Sequence, residues 1–414
     1  MEYGLIGKKL SHSYSPEIHR MIQNYSYQLK EIPEEELSSF MKEKNFQAIN
    51  VTIPYKEKVL PFLDQKDDIV RAIGACNTII NRRGKLFGYN TDYYGLYALI
   101  QKVGVNPKGK KVLILGSGGT SKTAKKVFQD LGAREILKVS RSKKEGALSY
   151  EEAALKSDID ILINTTPLGM YPETGKLAIS LDPFPKLKAV IDCIYHPIRS
   201  QLVIEANRRG IRAMGGLYML VVQAFVASML FIGKQVSLEK LEKVYQRLVF
   251  EKSNLVIIGM PTSGKSLTGK LLAEKLKLPF IDTDCLIEKR EGMKIKEIFH
   301  HYSNKGFREK EEQAIESIRN LTGHVIATGG GAILRQSNID VFESNGIFFY
   351  LDKSLKKLHP SSSRPLSESK KDLQKLYHER IAIYSYLADY RIQDKRSFQA
   401  AEMIAKIYRK ACLI

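Results

Sequence analysis

Two glycine-rich segments of this chain have the residue types and spacing that bind phosphate groups. The first contains Gly116, Gly118 and Gly119, and the second runs from Gly259 through Gly264 and Lys265 to Ser266 with the pattern GxxxxGKS. Each segment follows a short apolar run and precedes a helical pattern, so the free N–H groups of a helix start would face a polyanion. The first spacing suits a dinucleotide and the second a nucleoside triphosphate. The sequence therefore predicts two reactions in one chain, a hydride transfer and a phosphoryl transfer.

The residues after the next predicted strand favour NADP over NAD. An NAD site places a carboxylate at this position to bind the ribose 2′-hydroxyl. This chain has Ser140 and Arg141 instead, and the guanidinium of Arg141 suits a 2′-phosphate. Ser121 replaces the third glycine of the usual pattern, so the loop alone would also fit an ordinary strand-to-helix turn.

Candidate acid–base residues lie in the first hundred residues. Lys56 is expected at the end of a strand, and Asp92 at the start of a helix. Taken singly, they would be a surface lysine and a helix N-cap. Ser13, Ser15 and Asn77 add hydroxyl and amide groups, and the combined set is one that a small polyhydroxylated acid would require.

The second loop indicates ATP and Mg²⁺. Lys265 would contact the β- and γ-phosphates, and Ser266 would ligate the metal. Asp282 and Asp284 follow the next apolar segment, where one could order the magnesium shell and the other could accept a proton from a substrate hydroxyl. The other candidates for ligand contacts are Arg308, the glycines at 329–331, Arg364 and Arg380. Arg308 is predicted to start a helix, and Arg380 lies on a late helix. Arg364 belongs to the Pro/Ser-rich segment 359–366, which is predicted to be a mobile loop.

The elements that must hold these residues alternate between strands and helices, which predicts α/β architecture with parallel, doubly wound sheets. In the first 250 residues the predicted strands are 2–6, 47–53, 76–81, 111–115, 136–140, 160–164 and one from 190, and the predicted helices are 119–131, 198–209, 215–231 and 237–249. After a polar joint at 251–254, the alternation resumes with strands at 255–258, 324–327 and 347–351.

Composition excludes several classes of protein. The 414 residues carry a formal charge of +20, but lysine is spread along the whole chain and no dense basic run is interleaved with aromatic residues, so a nucleic-acid groove is not expected. No apolar run reaches membrane-spanning length, and no signal peptide is evident. The four cysteines are scattered, which favours a reducing cytoplasm and argues against a cysteine metal site.

Residues 1–250 resemble shikimate dehydrogenase. The matching motifs are SHSYSP at 11–16, NVTIPYK at 50–56, IGACNT at 73–78, GYNTD at 88–92, NTTPLGM at 164–170 and GGLYMLVVQ at 215–223. The resemblance implies a two-lobed enzyme, with a substrate-binding domain at 1–100 completed by 215–250 and a Rossmann-like NADP domain at 101–214. It implies that Lys56 and Asp92 are the catalytic pair and that Ser13 and Ser15 hold the substrate carboxylate. It implies that the substrate hydroxyls or carboxylate are contacted by Thr52, Asn77, Tyr195 and Gln223. It implies that NADP is bound by Gly116, Gly118, Gly119, Ser140, Arg141 and Gly216.

Residues 252–412 resemble shikimate kinase, which implies a P-loop, NMP-kinase-like α/β domain with a parallel sheet at 255–414, after a linker at 251–254. The resemblance implies that ATP is bound by Gly259, Gly264, Lys265, Ser266 and the lid arginine Arg364, with Ser266 and Asp282 at the metal. It implies that Asp284, Arg308, Gly330, Gly331 and Arg380 bind shikimate, with Asp284 as the base. The adenine-stacking arginine of the family has no clear match in residues 356–363, so the adenine contact stays unassigned.

Both resemblances involve shikimate, which the first enzyme family produces and the second consumes. They predict a bifunctional enzyme that reduces 3-dehydroshikimate to shikimate with NADPH and then phosphorylates shikimate to shikimate 3-phosphate with ATP. Three alternatives stay open: a C-terminal half that is a nucleotide-binding regulatory module, a dehydrogenase that acts on quinate with NAD, and a basic nucleic-acid-binding NTPase. The sequence does not decide the oligomeric state, nor whether Lys56 or Asp92 is the immediate proton donor.

Overall fold

The computed structural model of the chain describes residues 1–10, 13–23, 25–141, 146–360 and 366–412. Two compact units emerge, Met1–Tyr245 and Gln246–Leu413. No helix within these described ranges is long and apolar enough to cross a membrane.

The first unit begins with a mixed six-stranded sheet of order β2-β1-β3-β5-β6-β4. Its strands are β1 (Tyr3–Gly7), β2 (Gln28–Glu31), β3 (Ala48–Val51), β4 (Gln65–Lys66), β5 (Thr78–Arg82) and β6 (Lys85–Tyr89). The helices of this part are α1 (Ser15–Ile22), α2 (Leu37–Glu43), α3 (Asp68–Ile73) and α4 (Thr91–Val103). The strand β3 runs parallel to β1 and antiparallel to β5, so the loops after β1 and β3 leave the sheet at the same edge.

A second, fully parallel sheet of order β11-β10-β9-β7-β8 follows in the same unit. Its strands are β7 (Lys111–Leu115), β8 (Glu135–Val139), β9 (Ile161–Asn164), β10 (Ala189–Asp192) and β11 (Arg212–Met214). The helices are α5 (Gly119–Asp130), α6 (Tyr150–Ala154), α7 (Gln201–Arg208) and α8 (Leu217–Ile232), and α9 (Leu238–Glu251) begins in this unit and continues past its boundary at Tyr245. The central strands β7, β9 and β10 are buried along their whole length, as their continuous apolar sequence requires when helices cover both faces.

The second unit contains one parallel sheet of order β13-β14-β12-β15-β16. The strands are β12 (Asn254–Ile258), β13 (Phe280–Asp282), β14 (Val325–Ala327), β15 (Gly346–Asp352) and β16 (Tyr390–Gln393). The helices are α10 (Lys265–Leu276), α11 (Thr283–Glu291), α12 (Ile295–Glu316), α13 (Gln336–Asn345), α14 (Lys370–Leu387) and α15 (Ser397–Cys412). The glycine-rich loop connects the central strand β12 to α10, where the carboxyl ends of the strands form a ligand site in sheets of this kind.

The predicted strands are present, and where their ends differ from the prediction the shift is one or two residues. Two local predictions are wrong. Arg308 is not the first residue of a helix: it lies in the second of two helical segments that α12 joins at Ser303, whose backbone is non-helical with φ of +59°. Lys56 is not at a strand end, because β3 stops at Val51 and a turn follows. The strands β2, β4, β6, β11, β13 and β16 were not predicted, and β2 has the polar, non-alternating sequence of an exposed edge strand.

A buried histidine in α1 gives the first unit a pH-dependent stability. The ring of His19 is fully buried, stacks on Tyr27 at 3.9 Å between ring centroids, and shares a hydrogen bond with the hydroxyl of Tyr25. Burial lowers the pKa of His19 to about 3. In an unfolded chain the imidazole has a pKa of about 6.5, so between these values the unfolded state binds more protons and the folded state loses stability as pH falls.

We expect the His19→Phe variant, which keeps a stacked ring but cannot titrate, to lose less stability on acidification than the unsubstituted chain. Between pH 7 and pH 5 the difference should reach about 2 kcal/mol, from 1.36 kcal/mol per unit below pH 6.5. Amide hydrogen exchange of β1 and α1 at the two pH values measures it. The control is His378→Phe on α14, whose ring is exposed; equal acid sensitivity of the two variants would contradict the argument.

Candidate active sites

A short ion pair between Lys56 and Asp92 lies just after strands β3 and β6. The turn after β3 carries Lys56, and α4 begins under an N-cap by Asn90, whose amide oxygen accepts from the N–H of Tyr93 at 3.3 Å. Asp92 therefore sits in the first turn of α4. The Nζ of Lys56 is 2.6 Å from Oδ2 of Asp92, and the two side chains are only 15% and 9% exposed. The pair is thus largely shielded from water, and it can exchange a proton with a ligand placed beside it.

Buried polar side chains surround this pair. The Oδ1 of Asn77 accepts from the N–H of Thr91 at 2.7 Å, and its Nδ2 donates to Thr91 Oγ1 at 3.0 Å. The hydroxyl of Thr91 lies 3.3 Å from Oε1 of Gln223. Asn77 and Gln223 are therefore joined through Thr91, the residue that precedes Asp92. Sequence reasoning missed the linking role of Thr91, although it belongs to the quoted motif at 88–92.

The two serines proposed to bind a carboxylate also lie together. The hydroxyl of Ser13 is 3.1 Å from that of Ser15, at the start of α1. Between them, the ring of Tyr14 packs against that of Tyr195 with 5.3 Å between centroids, which brings the loop after β10 to the same place. Thr52 follows β3 and donates its N–H to the carbonyl of Ile6 at 3.0 Å.

The first glycine loop fits a dinucleotide phosphate. Gly116 has φ of +114°, and a Cβ there would lie 2.6 Å from the hydroxyl of Thr165, so only glycine is accommodated. A Cβ at Gly118 would meet nothing within 4 Å, which leaves open space at the N-cap of α5. A Cβ at Gly119 would lie 3.5 Å from Cβ of Lys56. The helix start that would bind phosphate is therefore adjacent to the ion pair.

The far end of the loop holds the groups expected to select NADP. The hydroxyl of Ser140 is 3.3 Å from that of Ser117, and Arg141 is exposed. Gly216 is required by close packing, because a Cβ there would collide with the carbonyl of Cys193.

The second glycine loop has the geometry of a phosphate cradle. Gly259 and Gly264 have φ of +146° and +94°, and Thr262 has φ of +63°. The buried hydroxyls of Thr262 and Ser263 have no hydrogen-bond partner among the described residues. The Nζ of Lys265 donates to the carbonyls of Gly259 and Met260, each at 2.9 Å, and these bonds hold the buried ammonium over the loop. Unsatisfied donors and a fixed cation fit a bound triphosphate.

The metal candidates fit a hydrated Mg²⁺ better than a protein cage. Asp282 caps α11, with Oδ1 accepting from the N–H groups of Asp284 at 2.9 Å and Cys285 at 3.3 Å. Ser266 lies in the first turn of α10 and is partly exposed. No group of three or more His, Cys, Asp or Glu side chains suited to a metal occurs in the described part of the chain. Mg²⁺ is commonly held by one or two protein oxygens plus phosphates and water, which these two residues can supply.

An acceptor site lies beside Asp284. A Cβ on Gly329 would be 2.5 Å from Oδ1 of Asp284 and 3.2 Å from Oε1 of Glu311. Glu311 is almost fully buried and accepts from Nη1 of Arg308 at 2.5 Å. Burial raises the pKa of Glu311, against the opposing effect of Arg308, and the carboxylate of Asp284 adds to the rise. A Cβ on Gly331 would collide with the guanidinium of Arg308, so the glycines admit both charged groups.

The second arginine is held by α14. Arg380 is buried and donates from Nη1 to the carbonyl of Gly330 at 3.0 Å, while its Nε has no partner among the described residues. The hydroxyl of Tyr384, one turn later, donates to the same carbonyl. Burial and the like charge of Arg308 both lower the pKa of Arg380, which indicates that the two guanidinium groups face a common space. A Cβ on Gly330 would be 2.9 Å from Pro261 of the phosphate loop, so this space adjoins the triphosphate cradle.

The structure thus brings Asp284, Arg308, Gly330, Gly331 and Arg380 together, and Arg364 lies outside the described residues. Sequence reasoning missed Glu311 and Tyr384. Glu311 follows Arg308 at the (i, i+3) spacing of a helical ion pair, which is a signal that could have found it. Tyr384 lies four residues after Arg380, on the same face of α14, but nothing in the sequence indicates that its hydroxyl reaches residue 330.

Comparisons with known proteins agree with both resemblances. Residues 5–79 match the family described as the shikimate dehydrogenase substrate binding domain, and residues 261–411 match shikimate kinase. A shikimate dehydrogenase (NADP(+)) of Clostridium perfringens is 36% identical over 264 residues, which cover 59% of this chain and 97% of that protein. The crystal structure of shikimate dehydrogenase 1 from Peptoclostridium difficile is 35% identical, with a TM-score of 0.57, and the match covers 60% of this chain and 98% of that one. A chorismate mutase/shikimate 5-dehydrogenase fusion protein from Clostridium acetobutylicum is 33% identical over 59% of this chain and 96% of that one, with a TM-score of 0.56. These similarities confirm the predicted fold class, the two enzyme classes, and NADP and ATP as their nucleotides.

We expect Tyr384→Phe to raise the KM for shikimate in the phosphorylation reaction about fivefold, because the Gly330 carbonyl loses one of its two donors. The net value of such a hydrogen bond is about 1 kcal/mol. The matched control is Tyr386→Phe, two residues later on α14, whose side chain is 76% exposed. Steady-state kinetics with shikimate varied at saturating ATP measures the effect, and equal KM values for the two variants would rule out the role of the Tyr384 hydroxyl.

Proposed function

Because this chain belongs to the shikimate dehydrogenase family and carries a shikimate kinase domain after it, we propose that it is a bifunctional enzyme of two consecutive reactions. The first unit reduces 3-dehydroshikimate to shikimate with NADPH. The second phosphorylates shikimate to shikimate 3-phosphate with ATP. The observation that carries the proposal is that each unit has its own phosphate cradle next to its own acid–base candidates, Lys56 with Asp92 in the first unit and Asp284 in the second.

For the first reaction, the proposed roles follow from the position of the ion pair. NADPH, when bound, supplies a hydride to the ketone carbon. The ammonium of Lys56 then stabilises the developing alkoxide and gives or relays its proton, while Asp92 orients Lys56 from 2.6 Å and shares the transfer. Ser13 and Ser15 hold the substrate carboxylate, and Thr52, Asn77, Tyr195 and Gln223 hold the rest of the ring. The loop glycines at 116, 118 and 119, together with Ser140, Arg141 and Gly216, bind the dinucleotide.

For the second reaction, Asp284 accepts the proton of the attacking hydroxyl. Arg308, Arg380 and the Gly330–Gly331 segment bind shikimate, and the two arginines match the geometry of its carboxylate. ATP with Mg²⁺, when bound, supplies the γ-phosphoryl group. Gly259, Gly264, Lys265 and Arg364 hold the triphosphate, and Ser266 and Asp282 hold the metal through oxygen atoms.

We further propose that the functional domains are the dehydrogenase substrate domain at 1–100 with 215–250, the NADP domain at 101–214, and the kinase at 255–414. The packing of α8 on α4 supports the return of residues 215–250 to the first domain. The segment 251–254 is then a minimal joint, since α9 ends at Glu251 and β12 begins at Asn254.

The purified chain, given 3-dehydroshikimate, NADPH, ATP and Mg²⁺, should produce shikimate 3-phosphate. Lys56→Ala should reduce NADPH oxidation by at least about a hundredfold, as expected for loss of a general acid, and should leave phosphorylation of added shikimate unchanged. Lys265→Ala should have the reverse effect. Mass spectrometry of the products and separate assays of NADPH and ADP measure both steps, and each variant's intact reaction is its folding control.

The alternative in which the second unit is a nucleotide-binding regulatory module predicts a different result for the same purified chain. If the unsubstituted chain binds ATP but releases no ADP in the presence of shikimate, the second unit is a nucleotide-binding module and the bifunctional proposal fails. The completeness of the acceptor cluster around Arg380 argues for catalysis.

Arg141 should set the cofactor preference. We expect Arg141→Ala to reduce the ratio of kcat/KM for NADPH to that for NADH by roughly tenfold or more, because a hydrogen bond to a charged group is worth about 1.5–3 kcal/mol. The control is Arg134→Ala, which changes a charge before β8 instead of after it. An unchanged ratio, or an equal preference for both cofactors in the unsubstituted chain, would remove Arg141 from the NADP site and reopen the NAD alternative.

A further inference from the structure

A buried carboxylate at the carboxyl edge of the second sheet has no cationic partner among the described residues. Asp192 is the last residue of β10 and is fully buried. Its Oδ1 accepts from Nδ2 of Asn164 at 3.1 Å and from the N–H of Ile194 at 3.0 Å, and its Oδ2 accepts from the hydroxyl of Ser200 at 2.6 Å. Burial raises the pKa of Asp192 to about 7. Burying a carboxylate that has only neutral donors costs free energy of folding. The segments of the chain that carry these donors therefore indicate what role Asp192 has.

The first donor leads to the dinucleotide loop. Asn164 ends β9, and its Oδ1 accepts from the N–H and the hydroxyl of Thr166 at 3.0 and 2.7 Å. The neighbouring Thr165 packs against Gly116, where an added Cβ would lie 2.6 Å from its hydroxyl. Asp192 therefore fixes, through Asn164, the segment that flanks the phosphate turn.

The second donor leads to the substrate side. With its N–H bound to Asp192, Ile194 presents its carbonyl to the N–H of Gly216 at 2.6 Å. The next residue is Tyr195, whose ring packs on Tyr14 between the two serines of the substrate site. The third donor, Ser200, is the N-cap of α7 and closes the loop that began at Asp192.

We propose that Asp192 is a positioning residue, which acts through its hydrogen bonds to Asn164, Ile194 and Ser200. Through these bonds it aligns both the NADP-binding loop at Gly116 and the substrate-contacting Tyr195. The proposal rests on the proposed function, since it takes Gly116, Gly216 and Tyr195 as ligand contacts. Only the ionised carboxylate accepts from all three donors. In Asp192→Asn, the amide nitrogen must face either Ser200 or the donors of Asn164 and Ile194, so at least one of the three hydrogen bonds is lost.

The test compares Asp192→Asn with Asp160→Asn in the full-length chain. Asp160 precedes β9 at the opposite edge of the same sheet, and its carboxylate accepts from the N–H of Lys111 at 3.0 Å and from Nζ of Lys188 at 2.8 Å. We expect Asp192→Asn to raise the KM for NADPH and for 3-dehydroshikimate together, each about fivefold to tenfold. The Kd for NADPH, measured by its fluorescence without substrate, should rise in parallel. Asp160→Asn should stay within about twofold of the unsubstituted chain, and shikimate phosphorylation should be unchanged in both.

Equal changes in the two variants, or a rise in only one of the two KM values, would overturn the proposal. Should Asp192→Asn fail to fold, Ser200→Ala decides, because it removes one donor and keeps the carboxylate: a parallel rise of both KM values supports the proposal, and unsubstituted values overturn it. If the unsubstituted chain does not oxidise NADPH with 3-dehydroshikimate, the proposed function fails, whereas normal turnover with no effect of either substitution refutes the role of Asp192 alone.

Discussion

The first turn of an α-helix leaves backbone N–H groups without intrahelical acceptors, and both units are arranged around this constraint at α5 and α10. In each, the helix follows a buried central strand, so its start is fixed at the carboxyl edge of a parallel sheet. The loop before it must turn sharply, which Gly116 permits in the first unit and Gly259 and Gly264 in the second. The remaining elements of the structure place reactive side chains next to these two helix starts. In the first unit this is the approach of Gly119 to Lys56, and in the second the approach of Gly330 to Pro261.

The two units arrange charge differently for their two chemistries. Reduction of a ketone requires a proton donor beside a developing negative oxygen, and the first unit offers a cation, Lys56, held by the carboxylate of Asp92. Phosphorylation requires removal of a proton from a hydroxyl, and the second unit offers a carboxylate, Asp284, near two guanidinium groups. A carboxylate substrate bound between Arg308 and Arg380 would relieve the repulsion that, with burial, lowers the pKa of Arg380. The electrostatics of each unit therefore match the sign of the charge that its reaction develops.

The sequence was sufficient for the fold class and for most of the central strands, and it indicated candidate ligand-binding side chains, because continuous apolar runs, glycine spacing and short motifs are local signals. It was not sufficient for the residues that hold those side chains. Thr91 joins Asn77 to Gln223, which lies 132 residues after Thr91 in the chain, and Tyr384 reaches a carbonyl 54 residues before it. No local pattern records such pairs. The helix start at Arg308 was misjudged by a few residues: the second helical segment of α12 begins directly after the non-helical Ser303.

Glu311 illustrates how such a supporting residue can determine the chemistry. Arg308 donates from Nη1 to Glu311 at 2.5 Å, and Gly329 leaves room for Asp284 at the same place. The near-complete burial of Glu311 keeps this pair away from competing water, and the missing side chain of Gly331 lets Arg308 stay extended toward the acceptor space. The guanidinium can then bind an incoming carboxylate with its remaining N–H groups. One buried carboxylate thus holds the arginine that we propose to bind the substrate, beside the aspartate that we propose as the base.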